Sequence, residues 1–216
     1  MDFAVELILV FVLLTDMTLL GTGRLATSIW LSAVQGMALG VLPLLVAEHE
    51  ITLRLVVFAA VVFTLKGIVF PRLLSRAARM ADVKHEVEPI VGYSASILIG
   101  LVIVILSAWV GAAFPLPIAH LPVSPVLLPT ALATILSGLF LIVSRRTALT
   151  QVVGYLVLEN GIYILGAALA QEEPFLVEMG VLLDVFVAVF VMGIAIFHIS
   201  REFDHIDVDQ LTSLKD

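Results

Sequence analysis

The chain has 216 residues, 61% of them apolar and only 13% charged, with a formal net charge of −7 and no cysteine. About a quarter of a water-soluble domain's residues are charged, so a soluble fold is excluded, and the acidic balance argues against a nucleic-acid partner. Without thiols there is no disulfide, thiolate zinc site, iron–sulfur cluster or cysteine nucleophile, and no Gly-rich phosphate loop or Ser/His/Asp arrangement stands out.

A membrane-spanning helix needs about 20 mostly apolar residues, because each adds about 1.5 Å across about 30 Å of hydrocarbon. Seven segments satisfy this: 3–21, 25–47, 51–73, 90–114, 125–144, 148–170 and 174–199. The first follows Met1-Asp2 with no basic stretch before it and reads as a retained span, not a cleaved signal. Gly21-Thr22-Gly23-Arg24 precedes the second span, Glu48-His49-Glu50 the third, and the polar stretch Arg76 to Glu88 the fourth. Pro115, Pro117, Pro122 and Pro125 set off the fifth, Ser144-Arg145-Arg146 the sixth, and Gln171-Glu172-Glu173-Pro174 the seventh. No hydrophilic domain remains. Residues 1–216 read as one integral membrane domain, with four helices over residues 1–114, three over residues 125–199 and a tail over residues 200–216.

The cationic side chains sort by side. Arg24, Arg72, Arg76, Arg79, Lys84, Arg145, Arg146, Arg201 and Lys215 fall on one face of a seven-span arrangement. Loops on the other face hold only acids and prolines, with Arg54 just inside the third span. Short positively charged loops stay cytoplasmic, so the prediction is an all-α polytopic protein of seven transmembrane helices, N-terminus outside and C-terminus inside.

A charge at the bilayer centre costs at least about 2.5 to 3.5 kcal/mol, so each intramembrane ionisable residue asks for a reason. Glu6 and Asp16 lie on the first span, Lys66 on the third, Glu159 on the sixth, and Glu178 and Asp184 on the seventh. Glu159 and Asp184 each come out about 15 Å deep on consecutive spans, which should be antiparallel neighbours whose acids face one another or share a hydrated cavity. Asp16 and Lys66 come out at similar depth in the cytoplasmic half, where an opposite-sign pair would lower both insertion costs. Glu6 and Glu178 lie near the outer surface and are read as interfacial carboxylates.

Gln151, Tyr155, Glu159 and Tyr163 recur every four residues and form one polar stripe on the sixth span. Gly154, Gly161 and Ala168 recur every seven on another face, where a neighbouring backbone can approach closely. Tyr155, Tyr163, Gln35 and the Gly36/Gly40 pair read as ordinary helix packing. His120, His198 and His205 lie at or beyond the membrane boundary and are not assigned as metal ligands. For Glu159, Asp184 and Lys66, proton movement is favoured over the rival, a static buried ion pair that fixes helix register.

Several strings, taken together in their order and spacing, carry a resemblance. Val143-Ser144-Arg145-Arg146, Gly154-Tyr155, Leu158-Glu159-Asn160-Gly161, Leu176-Val177-Glu178-Met179-Gly180 with Asp184, and the tail Asp207-Val208 to Leu211-Thr212-Ser213-Leu214-Lys215 resemble the E membrane subunit of hydrogenase-4-type formate hydrogenlyase complexes. Lys66, Pro71 and Ala77-Ala78-Arg79 resemble the third helix of the same family. The last three spans are also similar to the small K subunit of respiratory complex I and to the C subunit of multisubunit Na⁺/H⁺ antiporters. There a basic start leads into a helix with an embedded glutamate, and the next helix carries another. Aligned on Arg145-Arg146 and Gly154, the first of those glutamates falls at Leu156, one turn before Glu159, and the second about two residues after Asp184.

The resemblance implies a subunit without metal or cofactor in a bacterial or archaeal plasma membrane. Its neighbours would be antiporter-like proton-channel subunits and the membrane subunit anchoring a NiFe hydrogenase or related soluble arm. The expected function is proton conduction or coupling within a redox complex, with no catalytic centre in the chain itself. Glu159 would pass a proton at midplane, Asp184 exchange with it, Lys66 bias both through its charge, and Asp16 connect toward the cytoplasm. Gln151, Tyr155, Asn160, Tyr163 and Glu178 would support them. The rivals are a structural anchor between antiporter-like subunits and the redox arm, a subunit of a cation/proton antiporter, and an autonomous transporter.

Overall fold

The computed structural model of the chain describes residues 2–46, 52–80, 89–113, 124–169 and 193. These hold the helices α1 (Asp2–Gly21), α2 (Leu25–Val46), α3 (Leu53–Thr64), α4 (Phe70–Met80), α5 (Tyr93–Ala113), α6 (Leu127–Ser144) and α7 (Ala148–Leu169). A π-helical segment, Leu65–Val69, joins α3 to α4 without a break, so six helices among the described residues are long and apolar enough to cross a membrane. They coincide with the first six predicted spans. The seventh, 174–199, and the tail 200–216 lie outside the described residues, and with them Glu178, Asp184, His198 and His205.

Local chemistry sets the ends. Thr52 Oγ1 accepts a hydrogen bond from the Leu55 N–H at 3.4 Å and caps α3. The sequence predicts an end at 73 for the third span, yet the helix continues to Met80. Phe70, Leu74 and Ala77 recur at intervals of four and three and are buried, while Arg72, Arg76 and Arg79 point to the exposed side, so the charges do not interrupt the helix.

The helices differ in how far they are enclosed. Of the α7 span, 61% is buried, against 17% for α5, so among the described helices α7 is the most enclosed and α5 the least. α7 packs along α6 and against α2, whereas α5 touches α1 and α6. A Cβ on Gly161 would fall 2.6 Å from the Ile135 backbone nitrogen, and one on Gly154 2.9 Å from that of Ile142. The predicted close approach along the Gly154/Gly161 face is therefore the α6–α7 contact.

Among the described residues two apolar clusters fill the interior. One joins Leu19 and Leu20 of α1, Leu25 and Ile29 of α2, Phe70 and Leu74 of α4, Leu141 of α6, and Leu149 to Val157 of α7. The other joins Val5, Leu9 and Val12 of α1, Leu39 and Leu42 of α2, Leu127 and Ala131 of α6, and Ile164 of α7. They lie at opposite ends of the same helices.

Arg145, expected as a loop charge, is only 1% exposed. Its Nη2 donates to the Leu20 carbonyl at 2.7 Å, and its guanidinium lies 4.8 Å from the centre of the Tyr93 ring. A cation is favourable against the last carbonyls of a helix, so this one side chain ties the end of α1 to the start of α5 and to the α6–α7 turn. Gln151, on the first turn of α7, donates through Nε2 to the Arg145 carbonyl at 2.9 Å and holds that turn.

Candidate functional site

Between the two apolar clusters lies a buried polar layer built from α1, α2, the π segment, α6 and α7. Lys66 enters it from the π segment and is 5% exposed. Single wide turns of this kind are rare in helices and recur at functional sites. Gly36 makes room for it, since a Cβ there would fall 2.6 Å from the Lys66 Cβ.

Bonds to two adjacent residues of α7 hold the ammonium. Lys66 Nζ donates to Glu159 Oε1 and to Asn160 Oδ1, each at 3.0 Å. Glu159 and Asn160 are adjacent on α7 and both buried, and the Tyr163 ring, one turn on, lies 5.5 Å from Nζ by its centre. Phe58 of α3 stacks on Tyr163 at 6.4 Å between ring centres.

From Asn160 the bonds continue. Asn160 Nδ2 donates to Gln35 Oε1 at 2.9 Å, and Gln35 Nε2 donates to Asp16 Oδ1 at 2.8 Å and to Thr15 Oγ1 at 3.0 Å. Thr134 Oγ1 of α6 donates to Asp16 Oδ2 at 2.7 Å. Each amide therefore accepts on the side of the cation and donates on the side of the acid. The run from Lys66 through Asn160 and Gln35 to Asp16 has a single donor-to-acceptor direction, and its dipoles point one way.

The predicted residues fall into distinct places. Glu159, Lys66, Asp16 and Asn160 come together in this layer, and Tyr163 borders it. Asp16 and Lys66, expected as a direct pair, are joined instead through Gln35 and Asn160, because Glu159 takes the ammonium. Tyr155 packs against the Arg145-end cluster and Gln151 serves the turn. Glu6 lies apart, half-buried, where Ser124 Oγ donates to its Oε1 at 3.4 Å. The expected Glu159–Asp184 exchange falls outside the described residues, as does Glu178.

Three members escape sequence reasoning: Gln35, Thr134 and Thr15, the last of which is buried and accepts from Gln35. Gln35 reads as packing, yet it is the fully buried link between the two charged sites. Thr134 does not stand out on its own. Its signal is present in α6, where Thr130, Thr134 and Ser137 recur at intervals of four and three and are all buried on one face. Among the described residues no group of three His, Cys, Asp or Glu side chains is arranged to hold a metal ion.

Chemically, the layer can hold and exchange a proton and can pass a charge-dependent polarisation sideways through the helices. The family described as NADH-ubiquinone/plastoquinone oxidoreductase chain 4L matches residues 126–216. An uncharacterized protein of Mycobacterium tuberculosis is 35% identical over 191 residues, 86% of this chain and 84% of that protein. Hydrogenase-4 component E of Escherichia coli is 35% identical over 162 residues, 75% of this chain and 74% of that protein. Component E of Shigella flexneri is similar to the same extent. No solved structure matches the chain significantly.

Proposed function

The chain belongs to the hydrogenase-4 component E family, and on that premise we propose that it is a membrane-arm subunit of a complex I-like hydrogenase whose buried polar layer couples proton movement to electron transfer in its neighbours. The observation that carries this reading is the unbroken run of hydrogen bonds from Glu159 through Lys66, Asn160 and Gln35 to Asp16. Carboxyls and an ammonium at this depth are expensive, and packing alone gives no reason to keep them.

Transfer of one proton from Lys66 Nζ to Glu159 Oε1 across 3.0 Å breaks an N–H bond, forms an O–H bond and converts an ion pair into a neutral amine and acid. The amides of Asn160 and Gln35 give up no proton readily, so they do not form a wire. They transmit the charge state of Lys66 to Asp16 through their dipoles. Two carboxylates and one ammonium leave one negative charge among the described residues of the layer, and a single proton held there balances it.

In this reading Asp184 exchanges a proton with Glu159, Glu178 supports it, and Asp16 communicates with the arginine-rich, cytoplasmic side. The partners are antiporter-like membrane subunits and the membrane anchor of a NiFe-hydrogenase-type soluble arm, in a bacterial or archaeal plasma membrane.

The test is made on the assembled complex in liposomes, with Glu159→Gln and Asp16→Asn introduced singly. Redox-driven proton translocation should fall to background while assembly and electron transfer persist. Glu159→Gln keeps an acceptor for Lys66, so normal translocation in that variant would instead support the anchor reading, in which the pair only fixes helix register.

A further inference from the structure

We propose that the groove between α2 and the α3–α4 span binds an anionic phospholipid, its phosphate on Arg72, Arg76 and Arg79 and an acyl chain along Trp30, Val34 and Ile68. The groove has a volume of about 870 Å³, and these residues line it. Its cationic end follows from spacing: the three arginines stand four and three residues apart on α4 and so share a face. All three are exposed and make no hydrogen bond or ion pair with any described residue, and no Asp or Glu lines the groove. Three like charges on one face repel one another unless an anion lies among them.

Depth selects the kind of anion. The α3–α4 span from Leu53 to Arg79 is 27 residues, or about 40 Å, against about 30 Å of hydrocarbon. With Leu53 at one edge, Arg72 reaches the opposite edge and Arg76 and Arg79 stand in the headgroup layer. Of the apolar wall, Val34 and Ile68 lie about one turn deeper than Arg72, at acyl-chain level, while Trp30, six residues before the Gly36 that faces Lys66, stands level with Arg72 at the edge. Trp30 is 63% exposed, and its ring is suited to the boundary between headgroups and chains. Positive charge at headgroup height above an open apolar groove complements a lipid phosphate with its chain attached. A soluble anion would leave the wall uncovered.

The chain holds its own reporter and control, since its two tryptophans are Trp30 and Trp109. Trp109 is also exposed but sits on α5, away from the groove. Full-length Trp109→Phe and Trp30→Phe variants are placed in phosphatidylcholine vesicles containing either brominated phosphatidylglycerol or brominated phosphatidylcholine, and quenching of the remaining tryptophan is titrated. Trp30 should prefer the anionic lipid by at least about fivefold, the effect expected of even one basic residue at the headgroup. Trp109 should show no preference.

Replacing Arg72, Arg76 and Arg79 together by Gln should abolish the preference at Trp30 while quenching of Trp109 stays normal, which reports an intact fold. The proposal is overturned if Trp30 shows no preference or if the triple variant keeps it. It is equally overturned if Trp30 is shielded from both lipids in the assembled complex, because a neighbouring subunit then fills the groove.

Discussion

The two apolar clusters and the polar layer between them are held together by different physics. Between helices in a bilayer, burying a leucine gains little over leaving it in lipid, so the clusters around Leu9 and Leu19 contribute mainly through close packing. The polar layer has the opposite profile. Each of its hydrogen bonds contributes little, about 0.6 kcal/mol on average, but an orphaned charge inside it costs about 3 to 5 kcal/mol. The clusters therefore tolerate change gradually, whereas the layer tolerates matched exchanges and rejects unmatched ones.

The largest effect expected from this contrast is in Glu159→Leu, which takes away the carboxylate that pairs with the Lys66 ammonium. Folding stability in mixed micelles should drop by about 3 to 5 kcal/mol, with loss of the assembled complex on native gels. Adding Lys66→Leu should restore assembly without restoring proton translocation. An equal loss in the double variant would break the comparison. Next comes Leu9→Ala in the cluster around Val5 and Ile164. It should cost about 2 kcal/mol, the low end for a cavity because transfer to lipid adds nothing, and should leave proton translocation intact. The smallest effect is in Thr134→Val, which removes a single donor from Asp16. About 0.6 kcal/mol is expected by the same unfolding measurement, and a drop comparable to Leu9→Ala would mean that Thr134 is part of the charged core.

Helix positions are readable because about 20 apolar residues in a row leave no other membrane-crossing structure. Lys66 and Glu159 are readable as misplaced charges for the same reason. Their partnership is not. Counting 1.5 Å per residue places Asp16, not Glu159, level with Lys66, and it ignores side-chain reach and the wide turn at Leu65–Val69. Gln35 is unreadable in another way, since an uncharged amide is common in helix packing and shows its role only when both of its ends are seen occupied. Arg145 is legible as a turn residue but not as a buried one, because sequence marks the end of a span without marking what folds back over it.

The wide turn has a geometric consequence beyond the lysine it carries. One extra residue in a helix advances everything after it by about 100° around the axis. The same turn that aims Lys66 inward therefore sets the azimuth of α4 and decides that Phe70, Leu74 and Ala77 look into the protein while the arginines look out. Deleting one residue from Leu65–Val69 would swing the basic end of the span away from its groove as surely as it would displace the ammonium. Inner charge and membrane-edge charge are thus locked in phase by five residues of backbone.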